Sequence, residues 1–184
     1  LNEAVTPRFE VLRHEPIFKG HIFEVERRSV SLGSTQFDRE IVHHPGAVAV
    51  VATTDEGKIV FIEQYRASVD RLLLEIPAGT KDQVGESLER TAERELLEET
   101  GYKASSFELL GEYLNSPGYS DQVTAVFWAT GLALHERSPQ GVEESVSTLK
   151  ELSLTESLEA MRTGLLSDAM SCLAVLHLVR RHAL

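Results

Sequence analysis

Gly79-Thr-Lys-Asp-Gln-Val-Gly-Glu86-Ser-Leu-Glu-Arg-Thr-Ala-Glu-Arg94-Glu95-Leu-Leu-Glu98-Glu99-Thr-Gly101-Tyr102 is the stretch on which the reading of this chain turns. Its second half predicts a helix over 87–100, with Ser87 able to cap the N-terminus and Gly101 supplying the stop. Leu88, Ala92 and Leu96 fall at i, i+4 and i+8 and draw one apolar stripe. Glu95, Glu98 and Glu99 fall at i, i+3 and i+4, so they project within an arc of roughly 100°. Three like charges there repel one another, and the helix dipole disfavours anions near the C-terminus. A hard divalent cation with oxygen ligands resolves both conflicts. The plain alternative is a solvated acidic face. Arg94 beside the glutamates and the glycine-containing loop ahead of the helix favour the cation.

Working outward, residues 21–31 show partial alternation, Leu32-Gly33-Ser34 reads as a turn, and Gln36 to His43 reads as a return strand. Pro45-Gly46 ends this hairpin. Ala47 to Thr53 and Lys58 to Gln64 are apolar, β-branched runs joined by Asp55-Glu56-Gly57, which has hairpin-turn chemistry. Leu72 to Ile76 is a further short strand, ended by Pro77-Ala78-Gly79. Beyond the helix, strands are expected at Phe107 to Leu114 and Thr124 to Ala129. A loop with Pro139 and Gly141 then leads to Ser145–Leu152, and helices follow at Thr155 to Thr163 and Asp168 to His182. Strands on both sides of a central helix, with helices at the end, define an α/β protein of the α+β type.

The chain has 184 residues, a length that fits one folded domain, with 42% hydrophobic and 26% charged residues. No apolar run approaches the roughly 20 residues of a membrane helix, and the N-terminus lacks signal-peptide features. Eighteen basic against 29 acidic residues leave a net charge of −11, which disfavours nucleic-acid and anionic-membrane partners. Arg27-Arg28 and Arg180-Arg181 read as solvated surface pairs. The single Cys172 excludes an intramolecular disulfide and is expected to be a buried small residue in a reducing, cytoplasmic compartment. No P-loop, nucleophile elbow or His-x3-His spacing occurs, and His43-His44 reads as a strand end.

The quoted stretch resembles the Nudix box, Gly-x5-Glu-x7-Arg-Glu-U-x-Glu-Glu-x-Gly-U, where U is bulky and apolar. Glu86-x7-Arg94-Glu95-Leu96-x-Glu98-Glu99-x-Gly101 matches without a gap and Tyr102 fills the last apolar place. The departure is one extra residue between Gly79 and Glu86, six rather than five, in the loop before the helix. The resemblance extends to the ADP-ribose pyrophosphatase branch through Glu63-Gln64-Tyr65-Arg66, Leu74-Glu75-Ile76-Pro77-Ala78-Gly79, Ser116-Pro117-Gly118 and Glu143-Glu144. It implies an α/β/α sandwich with a mixed sheet and an N-terminal β-hairpin. Residues 1–44 would form a strand region involved in dimerisation and 45–184 the hydrolase domain.

By this resemblance Glu95, Glu98 and Glu99, with the carbonyl of Ala78, would hold Mg²⁺ or Mn²⁺, and Glu86 would pair with Arg94. Metal ions neutralise a diphosphate, activate water and stabilise the leaving phosphate. The general base would be Glu144, with Glu143 as its alternative. Arg66, Arg39, Ser116 and Gly118 would bind substrate, and Gln122, standing where relatives often carry a glutamate, would not serve as a base. The implied activity is cleavage of ADP-ribose to AMP and ribose 5-phosphate by a homodimer. GDP-mannose or another nucleoside diphosphate sugar is the alternative substrate. A non-catalytic nucleotide sensor would be expected to lose box carboxylates, all of which are present here, and RNA decapping conflicts with the net charge.

Overall fold

The computed structural model describes residues 8–140 and 142–182. Within them the chain divides into two compact units, residues 8–46 with 114–123, and residues 47–113 with 124–182.

The first unit is a three-stranded antiparallel sheet in the order β1 (Phe9–Lys19), β2 (Glu24–Leu32), β3 (Thr35–His43). The predicted hairpin is therefore present as β2 and β3, turning at Gly33 with φ 60°, and β1 is an additional strand. Its pairing with β2 is interrupted between Val11 and Arg13 and again between Pro16 and Phe18. These irregularities break the two-residue repeat that would have announced a strand. Phe9, Val11, Leu12, Ile17 and Phe18 of β1 are all exposed. The segment 115–122 ties to β3: the Val42 N–H donates to the Tyr119 carbonyl at 2.8 Å, and His43 Nδ1 meets Asp121 Oδ2 at 2.6 Å.

The second unit is built on β4 (Ala47–Thr53), a run short of polar side chains until its last residue. Its side chains alternate between two cores. Val48, Val50 and Ala52 pack with Ala92 and Leu96 of α1 (Leu88–Thr100). Ala49 and Val51 pack with Ala160 of α3 (Leu154–Thr163) and Ala174, Val175 and Leu178 of α4 (Ala169–His182). A strand covered on both faces is what an unbroken apolar run encodes, and the layers are α/β/α. The sheet order is β10 (Thr148–Leu152), β5 (Ile59–Arg66), β4, β9 (Val123–Leu134), β8 (Tyr102–Leu114). It is mixed, because β4 runs parallel to β9 and antiparallel to β5. β6 (Arg71–Glu75) pairs with β5, and β7 (Ala78–Thr80) pairs with the first half of β4. β8 and β9 run further than the apolar residues alone suggested.

The predicted helices sit where expected. Ser87 caps α1 by accepting from the Arg90 N–H, and Gly101 closes it at φ 77°, its N–H bonding the Leu97 carbonyl at 2.8 Å. Such a cap contributes about 1 kcal/mol. Ser153 and Glu156 form a capping box on α3. Cys172 is half-buried rather than buried, its Sγ 3.6 Å from the Leu166 carbonyl, and burial pushes its thiol up from the ordinary range. Arg181 is more engaged than a solvated residue: its guanidinium forks onto Glu108 at 2.6 and 2.8 Å and lies over the Trp128 ring.

Candidate active site

The carboxylates of α1 gather where β7 crosses the helix. Glu99 is almost fully buried, and one carboxylate oxygen accepts the Ala78 N–H at 2.9 Å. Glu95 is also buried and lies against Gly79. A Cβ added at Gly79 would fall 1.9 Å from Glu95 Cδ, so only a residue without a side chain lets β7 approach this carboxylate. Gly79 has no positive φ, so this requirement is spatial and not conformational.

Arg94 sits at the centre of the charge. It donates to Glu95 Oε1 at 2.7 Å, to Glu98 Oε2 at 3.0 Å, and more loosely to both oxygens of Glu86 at 3.3 and 3.4 Å. Asp82 in the preceding loop is a further partner at 3.4 Å. The extra residue in this loop leaves the Glu86–Arg94 pair formed. Burial opposes the charge on Arg94, but Glu86, Glu95 and Glu98 outweigh it and raise its pKa. One guanidinium cannot neutralise all the acids around it. Burial pushes Glu95 up to about 7, with Glu98 and Glu144 adding to the shift against Arg94. Burial pushes Glu99 up to about 8, with Glu95 and Glu144 adding and the Ala78 N–H and Arg66 opposing.

Arg66 and the later acidic turn belong to the same unit. Arg66, at the end of β5, gives its Nε–H to Glu75 Oε2 at 2.7 Å. Glu75 is buried and also accepts from Gln64 Nε2 at 3.2 Å. Sequence reading singled out Arg66 but assigned no role to Glu75. Opposite charges on neighbouring strands were the available signal. Glu143 and Glu144 lie on the single-turn α2 (Val142–Ser145). Glu143 is exposed and its charge acts on Tyr65, whereas Glu144 is half-buried and its charge reaches Glu95 and Glu99. The Glu144 carboxylate accepts the Gln140 N–H at 2.7 Å, and Gln140 Nε2 reaches Glu98 Oε1 at 3.4 Å. Gln140, Arg137 and Asp82 were not anticipated, because only the folded chain brings them to α1.

The remaining residues singled out lie in the first unit. Arg39 is exposed on β3, donates to the Asp38 carbonyl at 2.7 Å and stacks over the Phe37 ring. Ser116 and Gly118 lie in the segment after β8, where the Ser116 carbonyl accepts from Tyr119 and Ser120 at 3.0 and 2.8 Å. A Cβ at Gly118 would meet nothing within 4 Å. The Gln122 carbonyl accepts from Asn115 at 3.1 Å.

Among the described residues no three His, Cys, Asp or Glu side chains already stand close enough together to hold an ion. Arg94 lies between Glu95 and Glu98, and Glu99 is tied to the Ala78 amide. The donor chemistry nevertheless fits a hard divalent cation. All the donors are oxygens, and two of the carboxyls are buried where acquiring a negative charge unaided is costly.

A helix with two buried carboxylates and a third held by Arg94, an arginine tied to a loop glutamate and a glycine at the strand crossing define a Nudix-type diphosphate hydrolase. Residues 43–167 match the NUDIX domain, and the chain belongs to the Nudix family. It is 39% identical to the methanol dehydrogenase activator of Bacillus methanolicus and 38% identical to the ADP-ribose pyrophosphatase of Bacillus subtilis. Each alignment covers 95% of both chains. A crystal structure of an ADP compounds hydrolase superposes with a TM-score of 0.83 over 97% of this chain and 96% of that one. Its 20% identity speaks to the fold alone.

Proposed function

We propose that this protein is a divalent-metal-dependent pyrophosphohydrolase that cleaves ADP-ribose to AMP and ribose 5-phosphate. The observation that carries the proposal is the meeting of Glu95 and Glu99 of α1 with Gly79 and Ala78 of β7, with Arg94 joining Glu95 to Glu98. The substrate rests on the 38% identity to an ADP-ribose pyrophosphatase over 95% of the chain.

Glu95, Glu98, Glu99 and the Ala78 carbonyl would hold Mg²⁺ or Mn²⁺. When bound, such ions offset diphosphate charge and sharpen a water nucleophile. Glu86 and Arg94 hold the loop against α1 and keep the carboxylates aimed. Glu144 takes the proton of the attacking water, a role supported by its partial burial and by the reach of its charge to Glu95 and Glu99. Glu143 is the alternative. Water adds at one phosphorus, the bridging P–O bond breaks, and each product leaves as a monophosphate. Arg66, kept in place by Glu75, binds a phosphate oxygen with its terminal nitrogens, which have no acceptor among the described residues. Arg39, Ser116 and Gly118 are proposed as further substrate contacts on the family resemblance.

The proposal extends to a homodimer formed through residues 1–44, with 45–184 as the hydrolase domain, and to a cytoplasmic location. The exposed apolar side chains of β1 support the dimer, since an uncovered apolar strand at a sheet edge invites a partner. One half-buried cysteine suits a reducing compartment. No helix among the described residues is long and apolar enough to cross a membrane.

The test is incubation with Mg²⁺ and a panel of nucleoside diphosphate compounds, with products identified by mass. ADP-ribose should give AMP and ribose 5-phosphate with the highest kcat/KM. A tenfold preference for GDP-mannose, about 1.4 kcal/mol in transition-state binding, would overturn the substrate while leaving the diphosphatase chemistry in place.

A further inference from the structure

Arg137 lies three residues beyond β9 and is half-buried. Among the described residues it has no carboxylate partner. Its whole guanidinium is turned instead to main-chain carbonyls and one hydroxyl. Nε donates to the Glu99 carbonyl, Nη1 to the Ser147 carbonyl at 3.1 Å, and Nη2 to the Glu144 carbonyl at 3.0 Å and to Ser147 Oγ. A planar fork with fixed donor directions suits this task, and a lysine ammonium does not.

The two ends it joins both need it. The last four carbonyls of a helix lack intrahelical partners and carry partial negative charge. α1 has no basic residue in its last turn and carries Glu98 and Glu99 there. Arg137 brings the missing cation from outside the helix. The chain leading to it is already seated on the same helix end, because the His135 N–H donates to the Gly101 carbonyl at 2.7 Å. A Cβ on Gly101 would come within 2.8 Å of the His135 carbonyl, so the glycine that ends α1 also admits this segment. At the other end, α2 is a single turn with no buried residues. Ser147, itself buried, folds back on it, its N–H and Oγ both bonding the Glu144 carbonyl at 3.1 and 2.9 Å.

We infer that Arg137 is a positioning residue that fixes the Glu143–Glu144 turn against the C-terminal end of the box helix, holding the turn at a set distance from Glu95 and Glu99. It touches neither substrate nor metal and acts through Glu144. This inference rests on the proposed role of that turn in turnover.

The experiment compares wild type with Arg137→Ala, Arg137→Lys and Ser147→Ala, reading ADP-ribose kinetics with Mg²⁺ and amide exchange of residues 138–147. Loosening the turn by an ångström or so should lower kcat about 10- to 100-fold in Arg137→Ala. KM should stay within threefold, and exchange of the turn should quicken. Arg137→Lys should resemble Arg137→Ala, and guanidinium ion at low millimolar concentration should restore part of kcat to Arg137→Ala alone. Ser147→Ala keeps the arginine and all three of its carbonyl acceptors and removes only the hydroxyl, so a smaller loss in the same direction is expected even if Arg137→Ala folds poorly. Unchanged exchange, a kcat within twofold of wild type, or full activity in Arg137→Lys would overturn the inference. Glu143→Gln and Glu144→Gln, run alongside, separate this from the functional reading. If both keep full turnover while wild type cleaves ADP-ribose, the assignment of the base to this turn has failed, whatever Arg137 does.

Discussion

Replacing Gly79 by alanine adds one methyl group and should disable the site. The backbone there has no positive φ, so alanine imposes no conformational strain. The damage comes from contact: the new Cβ would lie 1.9 Å from Glu95 Cδ and 2.2 and 2.3 Å from its oxygens. Carbon atoms settle at about 3.5 Å, so the carboxyl group must retreat by about 1.6 Å or β7 must lift away. Retreat breaks the 2.7 Å bond from Arg94, and lifting strains the 2.9 Å bond from the Ala78 amide to Glu99. A misplacement of about 1 Å can cost 100-fold in rate, about 2.7 kcal/mol of barrier. Overpacking destabilises by about 1–3 kcal/mol, a fall in Tm of roughly 2–12 °C for a domain of this size. The assay is steady-state cleavage of ADP-ribose at saturating Mg²⁺, with a thermal melt of each sample. We expect kcat to fall at least about 100-fold with the fold retained. Adding Glu95→Asp should recover Tm by shortening the crowded side chain without recovering turnover. A Gly79→Ala protein with kcat within threefold of wild type and an unchanged Mg²⁺ requirement would refute the reasoning.

Arg66→Ala should raise KM more than it lowers kcat, and it should lower Tm by leaving the buried Glu75 with Gln64 but no counter-charge; Glu75→Gln added to it should return part of that Tm. His43 is raised from 6.5, foremost by its bond to Asp121, and Asp121 is lowered from 3.8 against its own desolvation by the bond to His43. Their mutual stabilisation is lost as pH rises through the raised His43 value and as it falls through the lowered Asp121 value. The Tm deficit of His43→Gln should therefore be larger at pH 5.5 than at pH 8.5, and an equal deficit at both would contradict the pairing. Light scattering at micromolar concentration should give about twice 20.4 kDa, and a monomer mass would reject the dimer.

The parts of the fold that were legible in sequence were those whose signal is local. Ser87, the Leu88–Ala92–Leu96 stripe and Gly101 specify α1 from within the stretch 87–101, and the run from Ala47 to Ala52 specifies a strand covered on both faces. β1 was not legible, because two irregularities and Pro16 erase its alternation and its side chains stay exposed. The site divides along the same line. Arg94, Glu95, Glu98 and Glu99 lie at helical spacing, Glu86 stands just ahead of the cap, and all five announce themselves. Glu75 and Arg137 act on partners brought near only by folding, Glu75 across a strand pair and Arg137 from beyond β9. Gly79 was legible as part of a motif, but its physical reason, the Glu95 carboxylate against its Cα, is visible only in three dimensions.

The central claim is that the buried carboxylates of α1 hold the metal on which ADP-ribose cleavage depends. The most direct test is a Mg²⁺ titration of turnover in metal-stripped protein, comparing wild type with Glu99→Gln, which keeps side-chain size but removes the deepest charge of the cluster. Wild type should be inactive with chelator and recover along a saturable curve. Glu99→Gln should stay folded, melt no lower than metal-free wild type at pH 8 because charging Glu99 is already unfavourable there, and remain orders of magnitude slower at any Mg²⁺ concentration. Turnover undiminished by chelator, or a Glu99→Gln protein that follows the wild-type curve, would contradict the claim.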